Sequence, residues 1–230
     1  MQVMVEHSGG GSGSGKVADS LATAIHEHRL SPGMKLNEDE VGEIYGVSRT
    51  VVRAALQQLA HERLVELKRN RGAFVAQPSV REAREVFEAR ALLEPRTAWS
   101  AAERAKATDV KVLQKHIDAE HAALRAGDTG RALHLSGMFH IEIARIADQT
   151  TIADFIAQLV ARSSLIIALY WQRRTALCES HAHDALIKAF GRNDPDAAEE
   201  LMKLHLVDLL TSLDLRDQPS VAKSLKDALK

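Results

Sequence analysis

With 230 residues, 45% of them apolar and 27% charged, the chain has the size and core-forming content of one or two globular domains, which excludes disorder throughout. Thirty Lys and Arg stand against 31 Asp and Glu, so a nucleic-acid partner has to be met by a local basic patch and not by overall charge. The single cysteine, Cys178, excludes an intrachain disulfide and any paired-cysteine zinc motif, and an aromatic content of 4% favours helices over sheets.

Residues 1–15 include the run SGGGSGSG and are expected to form a flexible Gly/Ser tail. Val17, Leu21, Ala24, Ile25 and Leu30 recur near helical spacing, which predicts a first helix from Val17 to Leu30, stopped by Ser31-Pro32-Gly33. Asn37 can cap a short second helix whose first turn carries Glu38, Asp39 and Glu40, charges that suit a helix N-terminus. Gly46 ends it. Ser48 is then an expected N-cap for a third helix running to His61, with Val51, Val52, Ala55, Leu56 and Leu59 forming one buried stripe. Two β-prone runs, 64–67 and 73–76, flank Lys68-Arg69-Asn70-Arg71-Gly72, the composition of a tight, basic-tipped hairpin.

Beyond Pro78 the pattern turns to helices beginning near residues 80, 108, 130, 150, 176 and 195, the last with Pro195 just inside its start. Pro95 is expected to kink the first of these. Residues 216–230 read as a tail. The expected division is a tail over 1–15, a winged helix-turn-helix over 16–78 (three helices plus a small β-hairpin), an all-α six-helix antiparallel bundle over 79–215, and a second tail; the fold class is mainly α. Apolar runs such as 165–171 fall far short of the ~20 residues of a membrane span, so a soluble cytoplasmic protein with no membrane partner is expected.

Between Ser48 and Gly72 six Lys or Arg face only two Glu, so positive charge is concentrated where a recognition helix and wing would lie. Arg49 and Arg53 are four residues apart and share a helix face near its N-terminus, the end that enters the major groove in helix-turn-helix proteins. Their planar forks suit guanine O6 and N7. Ser48 and Thr50 can bond phosphate, while Lys68, Arg69 and Arg71 can reach the backbone or minor groove from the wing.

The run from Leu36 to Ala76 closely resembles the winged helix of the GntR family of bacterial transcription regulators. The resemblance is carried by Val47-Ser48-Arg49-Thr50 with Arg53, and by the wing pair Arg71-Gly72. It implies double-stranded DNA as a partner, in the form of a palindromic operator bound by a homodimer. Val51 stands where the family usually has proline, and Arg63 where it usually has glycine. Some relatives contact DNA through an arginine on the second helix; this chain is acidic there, so no such contact is expected.

In the helical half, His140, His183 and His205 each lie beside the apolar stripe of a different predicted helix, an arrangement that suits either hydrogen-bonded core histidines or a shared divalent metal such as Zn, Ni, Fe or Mn. This half resembles the FCD effector domain of the FadR-like branch of the family, whose helices enclose a cavity. The resemblance implies metal ligation by His140, which follows Phe139, and by His183 and His205. Ser136 occupies the position of the branch's aspartate ligand, so it and Arg90 are the expected effector-binding residues. Arg90 resembles a family arginine that clamps carboxylates, with an ion pair to Glu94 as its other reading.

His116, His121 and His134 are expected to be partly exposed, His181 to be peripheral, and Trp99, Tyr170 and Trp171 to be core or cavity lining. The function expected is therefore a ligand-responsive, non-enzymatic DNA-binding regulator, typically a repressor released by a small organic acid. A helical His-cluster metalloenzyme with an appended DNA-binding module, and a dimeric DNA-binding protein that senses nothing, are the alternatives.

Overall fold

The computed structural model describes residues 13–171 and 177–216, with the side chains of 177–181 left out. Most of the expected N-terminal tail, the tail from 217 onward and the side chain of His181 lie outside the described residues. Helix α1 (Gly13–His26) buries Val17, Ala18, Leu21, Ala24 and Ile25, an apolar stripe at helical spacing. It starts before Val17, the last part of the Gly/Ser run being helical, and it stops at His26, short of Leu30. The stop comes from a tightened C-terminus in which His28 adopts φ 57° and the Arg29 and Leu30 amides both donate to the Ala24 carbonyl.

Strand β1 (Lys35–Leu36) follows, then α2 (Glu38–Tyr45), α3 (Arg49–His61), β2 (Val65–Lys68) and β3 (Gly72–Val75). Asn37 caps α2 as expected, its Oδ1 accepting the Asp39 amide at 2.9 Å. Ser48 occupies the N-cap of α3, yet its side chain makes no capping hydrogen bond. The sheet is antiparallel in the order β1-β3-β2, one strand more than the expected hairpin. A strand of two residues is too short to show alternation in sequence; here Leu36 pairs with Ala73 at the sheet's edge. The hairpin closes with Lys68 opposite Gly72, and Asn70 (φ 58°) and Gly72 (φ 92°) supply the left-handed conformations that the turn requires.

The helical half contains α4 (Val80–Arg104), α5 (Ala107–Arg125), α6 (Thr129–Ile146), α7 (Thr150–Tyr170), α8 (Leu177–Gly191) and α9 (Pro195–Thr211), each starting within one residue of expectation. Caps explain most of the starts. Ser79 and Glu82 form a reciprocal capping box on α4, and Asp128 and Asp194 accept amides three residues on at α6 and α9. Gln149 heads α7 without a side-chain bond. Pro95 lies inside α4 and does not end it.

Two large apolar cores form, one around Phe87, Phe139, Ile166 and Phe190 in the bundle and one around Val52, Leu56, Leu59 and Val75 in the winged helix, and a small third cluster joins Ala144, Ile156 and Val160. Helix α7 belongs to both, because Leu165 is buried in the winged-helix core while its neighbour Ile166 faces the bundle. This double duty makes α7 apolar on several faces. By length and composition it could cross a membrane, contrary to the impression left by its short uninterrupted apolar runs, but in this fold it packs on α4 and α6.

Candidate functional site

Arg49 and Arg53 project from the first turns of α3 with side chains 66% and 62% exposed, free of the hydrophobic core. Each is held by a carboxylate of α2. Arg49 pairs with Asp39, and Arg53 Nε donates to Glu38 Oε2 at 2.8 Å. The acidic second helix, from which no DNA contact is expected, thus orients both guanidinium groups. Thr50 and Ser48 are exposed beside them. On the wing, Lys68 and Arg71 lie over the Phe74 ring at 5.0 and 5.9 Å, while Arg69 and Gly72 are exposed at the tip. Helix start and wing tip therefore carry cations, the geometry of a groove-and-backbone reader.

The second constellation is buried. His140 of α6, His183 of α8 and His205 of α9 are 3%, 0% and 2% exposed, and each turns Nε2 toward the others. His205 Nε2 lies 3.2 Å from that of His140 and 3.3 Å from that of His183. The far nitrogens meet carboxylates. His140 Nδ1–H donates to Glu94 Oε2 at 2.6 Å and His183 Nδ1–H to Glu120 Oε2 at 3.1 Å. Burial alone would push the Glu94 carboxyl up, but the Arg90 guanidinium and His140 beside it outweigh burial and hold it at about 2. Burial lowers His140 and holds His205 well below its ordinary range, His205 being pressed further by the two neighbouring imidazoles.

With the Nδ1 protons of His140 and His183 committed to carboxylates, their Nε2 atoms carry lone pairs aimed at a third Nε2 that can donate to only one of them. At least one of these lone pairs therefore has no donor facing it, at full burial, a costly arrangement for a polar core. A cation accepts all three at once. Donor atoms of the three residues lie within 4.8 Å of one another, and carboxylate–imidazole pairs behind two of them are the usual support of a metal site. The donor set fits a divalent, nitrogen-seeking metal, Zn, Ni, Fe or Mn.

Arg90 is 3% exposed, and both readings of it meet in one place. Its Nε and Nη2 donate to Glu94 at 2.5 and 3.3 Å and its Nη1 to Ser163 Oγ at 3.0 Å, while the residue also lines a cavity of about 100 Å³ with Ser136 and His140. Ser136 is buried on that wall.

Glu120 and Ser163 were not singled out in the sequence. Glu120 had a signal, being a carboxylate in the apolar stripe of Leu113, Ile117 and Ala123. Ser163 had none, since α7 gives no polar pattern. Trp99 is not cavity lining: its indole N–H donates to Asp196 at 3.0 Å on the surface, with Arg96 over the ring. Tyr170 and Trp171 pack at the bundle core's edge, as expected. His121 is intermediate in exposure, although its Nε2 is buried without a hydrogen-bond partner.

Comparison with known proteins places residues 14–75 in the family described as bacterial regulatory proteins, gntR family, and residues 85–208 in the FCD domain family. The chain is 26% identical over 187 residues to the HTH-type transcriptional repressor RspR of Escherichia coli K12, covering 80% of this chain and 81% of that one. It is also 26% identical over 180 residues to the Nta operon transcriptional regulator of Aminobacter aminovorans, with 77% and 83% covered. Among solved structures, E. coli McbR/YncC superposes with a TM-score of 0.78 at 19% identity over 87% of this chain and 98% of that one, a likeness of fold.

Proposed function

The chain belongs to the GntR family of bacterial regulatory proteins and carries an FCD effector domain, and from that premise we propose that it is a metal-centred, acid-responsive regulator acting as a homodimer on a palindromic operator. That it is a DNA-binding transcription regulator and not an enzyme follows from the family and from its named relatives. The observation that carries the rest is the convergence of the His140, His183 and His205 Nε2 atoms, backed by Glu94 and Glu120, beside a cavity that Arg90 and Ser136 also line.

A divalent metal held by these imidazoles supplies positive charge and open coordination positions for an oxygen donor. Glu94 and Glu120 fix the ring orientation of two ligands and balance the cation's charge, a task left to them because Ser136 contributes a hydroxyl and no anion. Arg90 positions Glu94 and keeps two N–H groups for an effector carboxylate. On the DNA side, Arg49 and Arg53 read base edges while Ser48, Thr50, Lys68, Arg69, Arg71 and the Gly72 backbone hold the sugar-phosphate chain. Two copies are needed to read both half-sites. Exposed Leu92 on α4 and Leu204 and Val207 on α9 offer the apolar surface that a second copy would cover. The effector acts by binding one arrangement of the paired winged helices better than the other, and repression relieved by ligand in the cytoplasm is the expected outcome.

The test is affinity for a duplex that the full-length, metal-loaded protein itself selects from a random pool. A palindromic selected sequence whose binding weakens when a small carboxylic acid is added supports this function. A selected sequence without two-fold symmetry, or affinity indifferent to every acid, contradicts it.

A further inference from the structure

The cavity beside the histidine centre is not closed by the helical domain alone. One wall is His26, near the end of α1 in the winged helix, and it lies in parallel stacking with His134 of α6, ring centroids 5.6 Å apart and planes 14° off. The seam around this wall is tightly keyed. Gly130 of α6 sits so close to the α1 end that a Cβ there would come within 2.0 Å of the Glu27 carbonyl oxygen. His28 Nε2 lies 3.1 Å from the Ser164 carbonyl oxygen, and Ser164 Oγ donates to the His26 carbonyl at 3.3 Å. Ser163 and Ser164 of α7 line the cavity, and the next residue, Leu165, is buried in the winged-helix core. An occupant would therefore touch the DNA-binding half directly, on α1 and through α7.

We propose that the effector site is shared between the two halves, with His26 of the winged helix a ligand-contacting residue that bonds a hydroxyl of the bound acid. This rests on the acid-sensing function proposed above. The Arg90 and His140 end suits the carboxylate. The His26 and His134 end suits a neutral polar group, because burial there lowers both imidazoles, His26 to about 4, and keeps them uncharged donor–acceptors. Among the described residues no hydrogen bond is made by either ring, so both are available to a hydroxyl.

The experiment titrates acetate, L-lactate, L-malate and citrate into the zinc-saturated full chain by calorimetry. Expected is that a hydroxy acid binds the parent and loses about tenfold in affinity in His26→Leu, the worth of one hydrogen bond, with zinc content unchanged. His26→Gln, which keeps a donor, retains most of the affinity. Equal affinity in parent and His26→Leu overturns the shared site and leaves acid sensing standing, whereas no binding of any of the four acids to the parent overturns both. Should His26→Leu not fold, amide exchange in the unsubstituted protein decides: a bound acid slows exchange across Leu21–His26, and unchanged exchange there overturns the shared site.

Discussion

The two halves of this chain solve opposite problems with charged side chains. The winged helix keeps Arg49 and Arg53 about two-thirds exposed, where an ion pair with α2 costs little to make and little to lose. The bundle takes Arg90, Glu94, Glu120 and three histidines out of water, where each must be answered by a partner. Function at a surface is therefore separable from folding, and function in a core is not. Substitutions in the two halves should fail in different ways.

The largest expected effect is in the core. Glu94→Gln leaves Arg90 buried without its carboxylate and puts a neutral amide in place of the anion behind His140, and should lower unfolding free energy by about 3–5 kcal/mol in denaturant titration. A loss under about 1 kcal/mol would erase the contrast. Next, Arg49→Ala and Arg53→Ala should each weaken binding to a self-selected duplex by about 1–3 kcal/mol while leaving unfolding within about 0.5 kcal/mol of the parent. Unchanged affinity would remove the reading role from α3.

Acid should sharpen the same comparison at the seam. The folded chain holds His26 at about 4 by burial and by the nearby His134 and His28, against an ordinary value of 6.5. The unfolded chain thus takes up a proton that the folded one refuses between these values, so stability is full above pH 6.5 and falls as pH drops toward about 4. Melting of His26→Leu should depend less steeply on pH across this window; an identical slope would show that His26 contributes nothing to it.

The smallest effect concerns the backbone. Arg63 adopts φ 59° where the family usually has glycine, and Arg63→Gly should stabilise the winged helix by about 1 kcal/mol. A destabilised variant would mean that the Arg63 side chain outweighs its strain.

The same division explains what could be read from the sequence. In the winged helix, caps, turn residues and charge are local signals: Asn37, Asn70 and Gly72 declared their roles within a few residues of themselves, and the Arg49–Arg53 spacing declared a shared exposed helix face. Strand β1 escaped because two residues carry no period and Leu36 finds its partner only across the fold. The helices of the bundle were legible for the same local reason, and the histidines stood out as polar residues on apolar faces. Their partners were harder to see. Glu94 reads as an ordinary i+4 mate of Arg90, and that it also meets His140, 46 residues away, is a tertiary fact. His26 looked like the end of an amphipathic helix, and nothing near it in the chain announces a cavity whose other walls come from α4, α6, α7 and α9.

The most direct test is a zinc titration of the chelator-stripped full chain, with content checked by elemental analysis. Expected is a single ion per chain, lost in His205→Ala and bound about 10–100-fold more weakly in Glu120→Gln. An unsubstituted chain that takes up no ion, or a His205→Ala chain that holds one as tightly, would contradict the metal centre.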